Sequence, residues 1–330
     1  MCNFKIKLNT FAFFLIISPV LLFGQHEKTD FPTDTSFSVW SATQKITKDF
    51  PIAIPVKAFD LKEIKSERNV VYYELGDRRL HTDLFYPNVS NKKIPAVILI
   101  HGGGWASGNK SHMVPMAQKL ANAGFFAAAV EYRLSPEAIY PAGVKDIKSA
   151  LVWLKQNATK FNVDTSRIAI LGTSAGATLA SLIGTTAANP LFKSHQKTEV
   201  NDRVHAIINI DGILDFTDPA ESGKDTSPDK PSAGARWFGY TYAQKPELWI
   251  QASPLNYVNE NTPPTLFINS SIPRFHAGRE AFVEVLENNH QYYEIHTLPE
   301  TPHPFWLFYP WFDKATGHVI LFLNKIFTPS

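Results

Sequence analysis

The sequence predicts an α/β fold: a mostly parallel central sheet flanked by helices on both faces. Two observations predict it. Short, nearly unbroken apolar runs recur along residues 67–330, and such runs suit strands buried on both faces of a parallel sheet. Between them lie stretches whose apolar residues repeat at helical spacing, and strands alternating with helices give a doubly wound sheet. A chain of 330 residues, 44% of them apolar, is long enough to build this as one large domain.

The first 24 residues stand apart. Lys5 and Lys7 precede an apolar run from Phe11 to Phe23, and small Gly24 follows. A basic start, a short apolar stretch and a small residue are the marks of a secretory signal. The run is too short to span a bilayer, so a secreted or periplasmic protein with no membrane insertion of the mature chain is expected. The single cysteine, Cys2, falls inside this segment. The mature chain would have no disulfide, no thiol nucleophile and no cysteine-held metal. Export without disulfides fits a bacterial periplasm or exterior. A net charge of +2 gives no reason to expect nucleic acid as a partner.

Residues 25–66 are polar and mixed, and are expected to form an extension packed on the domain. Val70–Leu75 and Leu80–Tyr86 then read as a hairpin around Gly76-Asp77. Ala96–Ile100, Phe125–Val130, Ile168–Leu171, Ala206–Ile210, Thr265–Ile268 and Tyr292–Leu298 are the remaining strands. Val144, Ile147, Leu151 and Leu154 mark one helix, with Pro141 at its start. Ala175, Leu179, Leu182 and Ile183 mark a second; Phe282, Val285 and Leu286 mark a third. Residues 216–248 break the rhythm. They carry Pro219, Pro228, Pro231 and many charges, followed by Trp237, Phe238, Tyr240 and Tyr242. This insertion is expected either to cover the site as a lid or to be a surface loop with an aromatic foot in the core.

Three segments carry chemistry. Gly172-Thr173-Ser174-Ala175-Gly176 follows an apolar strand and opens a helix, the setting of a nucleophile elbow, so Ser174 is the expected nucleophile. His101-Gly102-Gly103-Gly104-Trp105 ends an earlier strand. Its glycines let backbone approach a reacting group, and the N–H groups of Gly103, Gly104 and Ala175 are the expected oxyanion donors. His303 lies after the last predicted strand, where it can take the serine proton. His276, His290, His296 and His318 lack that position. The histidines show no metal-ligand spacing, and neither metal nor cofactor is expected.

Together these segments resemble the α/β-hydrolase superfamily, and within it the acetyl-esterase and hormone-sensitive-lipase-like group. The resemblance rests on His101–Trp105, on Glu131-Tyr132-Arg133-Leu134-Ser135-Pro136-Glu137, on the Gly172–Gly176 elbow, and on Ser253-Pro254-Leu255 before Pro263-Pro264. The group usually carries Asp where Glu131 stands. It also usually carries its catalytic acid after the strand corresponding to Thr265–Ile268. Here that stretch reads Asn269-Ser270-Ser271-Ile272-Pro273-Arg274-Phe275-His276 and holds no carboxylate. Asp211, one strand earlier, is the favoured replacement and Asp215 the alternative; Glu300 and Glu280 are weaker candidates. Each of the two aspartates keeps the chain order serine, acid, histidine.

The resemblance implies an esterase. Export, an aromatic cluster and basic residues near the site point to a carbohydrate esterase removing acetyl or methyl groups from a polysaccharide. Trp105, Trp237, Arg274, His276 and Arg279 are the expected substrate-binding residues, with an arginine gripping a uronic-acid carboxylate. The alternatives are a general short-chain carboxylesterase or lipase and, from another class, a non-catalytic glycan-binding pseudo-esterase.

Overall fold

The structure, a computed structural model, describes residues 1, 31–89, 92–224 and 229–328. The export signal expected at residues 1–24 lies outside the described residues. The chain divides at residue 32 into an N-terminal unit and the unit of residues 32–330, which is the one described below.

In chain order the elements are α1 (Val39–Ile46), β1 (Ile54–Pro55), β2 (Ile64–Leu75), β3 (Arg78–Pro87), β4 (Ile94–Ile100), α2 (Val114–Asn122), β5 (Phe126–Val130), α3 (Ala142–Gln156), β6 (Val163–Thr173) and α4 (Ala175–Thr185). There follow β7 (Ala206–Ile210), α5 (Pro219–Ser222), α6 (Ala233–Phe238), α7 (Pro246–Ala252), β8 (Thr265–Ser270), α8 (Arg279–Asn288), β9 (Tyr293–Leu298), β10 (Phe308–Tyr309) and α9 (Trp311–Phe327).

Eight strands form one sheet in the order β2-β3-β5-β4-β6-β7-β8-β9. The first two pairings, β2 with β3 and β3 with β5, are antiparallel. From β5 onward every pairing is parallel. Parallel strands need crossovers, and α2, α3, α4 and α8 supply them, α2 on one face and α3, α4 and α8 on the other. The pleat divides the core accordingly. Ala96, Ile98 and Ile100 of β4 pack with Val144, Ile147 and Leu151 of α3 and with Leu179 and Leu182 of α4. Val97 and Leu99 face the other way, onto Met116 and Leu120 of α2 and Phe312, Val319 and Leu323 of α9. Each fully buried aliphatic side chain contributes about 1.5–3 kcal/mol relative to exposure, so both faces anchor their helices strongly.

The expected extension at residues 25–66 is integral to this unit where it is described. Ala42 and Ile46 of α1, with Ala53 and Val56, are buried in the second core. β1 pairs with β10, and β2 already begins at Ile64. The insertion at residues 216–248 is likewise partly core. Phe216, Trp237 and Phe238, with Trp249 just beyond, are fully buried and pack against one another at tilted angles. Among the described residues, no helix is long and apolar enough to cross a membrane.

The parallel strands all end on one edge, and β4 is the strand from which the connections run outward in opposite directions. Open α/β sheets bind ligands at that edge. The loops after β4, β6, β7, β8 and β9 meet there.

Candidate active site

The elbow after β6 is built by close packing. Ser174 is held at φ 51°, ψ −124°, a conformation that costs on the order of 1–3 kcal/mol for a non-glycine residue. Its N–H donates to Ile210 O at 2.8 Å, and its carbonyl accepts from Ala177 N at 2.8 Å. The flanking glycines are required by space. A Cβ on Gly172 would lie 2.0 Å from Gly176 O, and one on Gly176 would lie 2.3 Å from Ile100 O. The turn therefore presses β6 and α4 against the end of β4, and Ser174 projects from the sheet edge.

Ser174, His303 and Asp211 stand in hydrogen-bonded series. His303 Nε2 lies 2.7 Å from Ser174 Oγ, and His303 Nδ1 lies 2.8 Å from Asp211 Oδ2. Asp211 is fully buried. Its Oδ1 accepts from Ser270 N at 2.7 Å, and its own N–H donates to Ile268 O at 3.0 Å. It sits at φ 56°, a left-handed conformation that aspartate tolerates better than most side chains. The loop after β8, which lacks an acid, thus supplies a backbone donor to the acid borrowed from β7.

Asp215 is turned away from this series. Its Oδ1 accepts from Thr217 N and Thr217 Oγ1, at 2.8 and 2.7 Å, and so shapes the start of the insertion. Glu280 pairs with Arg279, and Glu300 is an exposed turn residue after β9. The sequence left Asp211 and Asp215 open; the structure brings only Asp211 to His303.

His303 is also held by rings. Phe275 stacks on the imidazole with centroids 3.4 Å apart and planes 9° apart, and Trp306 meets it edge-on at 5.2 Å. Burial lowers the His303 pKa below its ordinary value, and the charge of Arg274 adds to this; Asp211 opposes it. The net direction keeps the imidazole neutral at pH 7, the state a general base needs.

The glycine loop after β4 closes the other side. Gly103, Gly104 and Trp105 follow one another at φ 128°, 60° and 58°. Gly103 O accepts from Ala106 N and Ser107 N, curling the loop back on itself. A Cβ on Gly102 would come within 2.9 Å of Ser174 Cβ, which is how near this loop runs to Ser174. His101 is buried behind it, stacked on Tyr132, whose hydroxyl donates to His101 O at 2.9 Å. In the neighbouring motif, Arg133 grips buried Asp146 through N, Nε and Nη2. Glu131, where the group carries Asp, accepts from Arg78 Nη2 at 2.7 Å and from His81 N at 3.2 Å.

Two cavities border the series. A small one, of about 50 Å³, is lined by Ser174, Gly104, Ala175, Trp105, Ile213 and Ala233, with Glu221 and Arg274 at its side. A larger groove, of about 700 Å³, is lined by His303 and Pro304 on one wall and by residues of α1 and its flanks on the other. Arg274 and Phe275 line both.

The expected substrate residues are placed unevenly. Trp105 lines the small cavity, though it is mostly buried and stacks on Trp237. Trp237 itself is 2% exposed and lies behind Trp105 in the core, so the aromatic cluster is packing and not a sugar platform. His276 Nε2 lies 2.6 Å from Ser270 O, and Arg279 binds Asn269 Oδ1 and Glu280; neither lines either cavity. Arg274 does, but its Nε lies 2.5 Å from Glu221 Oε1, so its charge is already answered by a buried carboxylate. Sequence reasoning missed Glu221 and Phe275. Glu221 approaches only through the fold, from a four-residue helix. Phe275 left a weak signal: an aromatic ring in the loop after the strand beside the acid.

A geometry of this kind can deprotonate a serine against a carbonyl and hold the resulting oxyanion. Among curated relatives, Esterase LipC of Mycobacterium tuberculosis is 30% identical over 257 residues, 72% of this chain and 60% of the relative. Carboxylesterase NlhH of the same organism is 36% identical over 124 residues, 37% of this chain and 39% of the relative. The chain thus spans under two thirds of the length of either. Among solved structures, a bifunctional GH43-CE protein of Bacteroides eggerthii superposes with a TM-score of 0.69 at 23% identity, over 79% of this chain and 38% of that one. A truncated carbohydrate esterase from gut microbiota gives 0.65 at 24% identity, over 79% and 97%. These likenesses share the α/β-hydrolase fold. The BD-FAE family model matches residues 82–272, more than half of the chain and the stretch that holds the glycine loop, the elbow and Asp211; the chain belongs to the BD-FAE family.

Proposed function

We propose that the protein is a serine esterase that removes acetyl groups from a carbohydrate, outside the cytoplasm. The observation that carries this reading is the unbroken series Asp211–His303–Ser174, with distances of 2.8 and 2.7 Å. Ser174 Oγ attacks the ester carbonyl while its proton passes to His303 Nε2. The oxyanion is received by the N–H groups of Gly103, Gly104 and Ala175. Asp211 holds the imidazole in the tautomer that leaves Nε2 free to accept, and stabilises the imidazolium. Collapse expels the alcohol, which takes the proton from Nε2, and the acyl group stays on Ser174. Water then attacks, with His303 again as base, and the carboxylic acid leaves as Ser174 recovers its proton.

The acyl half of the ester must lie beside Ser174 and the oxyanion donors, and the cavity there holds only about 50 Å³. That favours an acetyl group over a long chain, and over a methyl ester, whose bulk would be on the acyl side. A glycan as the alcohol half of the ester is supported by the carbohydrate esterases that share the fold and by the large groove on the histidine side. Export rests on the composition of residues 1–24 and is checked by fractionating cells that express the full chain.

The test is product release from acetylated and from methyl-esterified polysaccharides, with Ser174→Ala as blank. Acetate released by the wild type and not by the variant is the expected result. Methanol in place of acetate would overturn the assignment of the acyl group, and neither product from any ester would overturn the esterase reading.

A further inference from the structure

The geometry points to the groove between α1 and residues 272–275 as the subsite for the alcohol half of the ester, a neutral sugar ring, so that the N-terminal helix selects the substrate. This rests on the reading above, in which the acyl half sits beside Ser174.

The leaving oxygen must come within hydrogen-bond reach of His303 Nε2, because that atom returns the proton. The rest of the alcohol then extends into space that His303 borders. The groove of about 700 Å³ is that space, and it joins the acyl cavity at Arg274 and Phe275, which line both. It is large enough for a sugar ring and its neighbours, within the usual range of ligand sites. Phe37 and Phe50 line it from the flanks of α1, and Phe275 from the opposite side. Phe37 and Phe50 are partly exposed, and aromatic rings offer apolar surface to the C–H faces of a sugar, whereas Phe275 is stacked on His303.

Its charges cancel. Lys45 near the end of α1 and Asp49 in the turn after it carry opposite charges, and Arg274 is paired with Glu221. Glu221, whose side chain is 7% exposed, already occupies the Nε–Nη2 fork of Arg274, the fork a uronate would need for a two-point grip. The wall is also preformed. Ser38 and Ser41 cap α1 reciprocally, and Ala42 and Ile46 root it in the core. Residues 36–50 lie outside the 82–272 stretch that the family model matches.

The experiment compares Lys45→Trp, which fills the groove from an exposed position, and Phe37→Ala, which removes an aromatic wall, with the wild type. The readout is kcat/KM on an acetylated xylo-oligosaccharide divided by kcat/KM on ethyl acetate, whose alcohol is too small to reach α1. Each variant is expected to lower this ratio about tenfold, the scale of one lost ring contact. An unchanged ratio in both, with an active wild type, overturns the inference alone. A wild type that prefers an acetylated oligogalacturonide to the neutral oligosaccharide also overturns it. A wild type inert towards ethyl acetate and every other ester removes the esterase reading itself.

Discussion

Asp211→Asn tests the borrowed acid directly. Asp211 has two separate duties: Oδ1 accepts from Ser270 N at 2.7 Å, and Oδ2 faces His303 Nδ1 at 2.8 Å. An asparagine placed there keeps its carbonyl oxygen on the Ser270 N–H, since the alternative would set two donors against each other. Its NH₂ must then face His303 Nδ1, which has to act as acceptor. The ring proton moves to Nε2, the atom that should take the proton of Ser174. The nucleophile faces a donor in the wrong tautomer, and the imidazolium loses its buried counter-charge. Loss of both functions in a serine triad lowers kcat by about 1,000- to 10,000-fold, equivalent to about 4–5.5 kcal/mol of barrier. Hydrolysis of 4-nitrophenyl acetate measures it, with thermal unfolding to show that the fold persists. Asp215→Asn is the control, because its bonds to Thr217 shape a turn; it is expected to change kcat less than tenfold. A tenfold or smaller loss in Asp211→Asn, or a larger one in Asp215→Asn, would refute the assignment.

Two further outcomes follow from the charges. His112 is buried behind the glycine loop, and burial lowers its pKa to about 4, against about 6.5 in the unfolded chain. The unfolded state therefore binds the extra proton first, and stability present above pH 6.5 is lost as pH falls towards 4. Such a shift amounts to about 3 kcal/mol at pH 4; His112→Leu should remove that part of the acid sensitivity in denaturant titrations at pH 7 and pH 4, and parallel losses in both proteins would contradict it. Arg274→Ala should lower the melting temperature by stranding Glu221 with only Lys224 at 3.1 Å, and adding Glu221→Gln should recover part of the loss; a double variant no better than the single one would show that the pair is dispensable.

How much was legible follows from burial. Strands covered on both faces leave continuous apolar runs, and Ala206–Ile210 coincides with β7. β6 begins at Val163, five residues before the expected start, because Asp164, Thr165, Ser166 and Arg167 hide it among polar residues. α1 was invisible: eight residues with two buried anchors, Ala42 and Ile46, make too short a stripe to read. The positions of Ser174, the glycine loop and His303 were legible because each is tied to a local turn at a strand end. The acid was legible only to a choice of two, since the sequence does not say which carboxylate points at the imidazole. The arginines misled because their partners are settled by the fold: Glu221 stands 53 residues before Arg274. Trp237 misled for a similar reason, since an aromatic cluster looks the same in sequence whether it faces sugar or core.

The small cavity beside Ser174 is walled in part by Ala233 and Glu221, which belong to the insertion after β7 and not to the sheet. On the proposed reading, the bond-breaking groups are fixed by strand register, whereas the wall beside the acyl group hangs on a segment no strand constrains. Enlarging a residue such as Ala233, or trimming it away, would reset chain-length tolerance while leaving the elbow untouched. A lineage with this layout can change which esters it consumes without relearning how to cleave them.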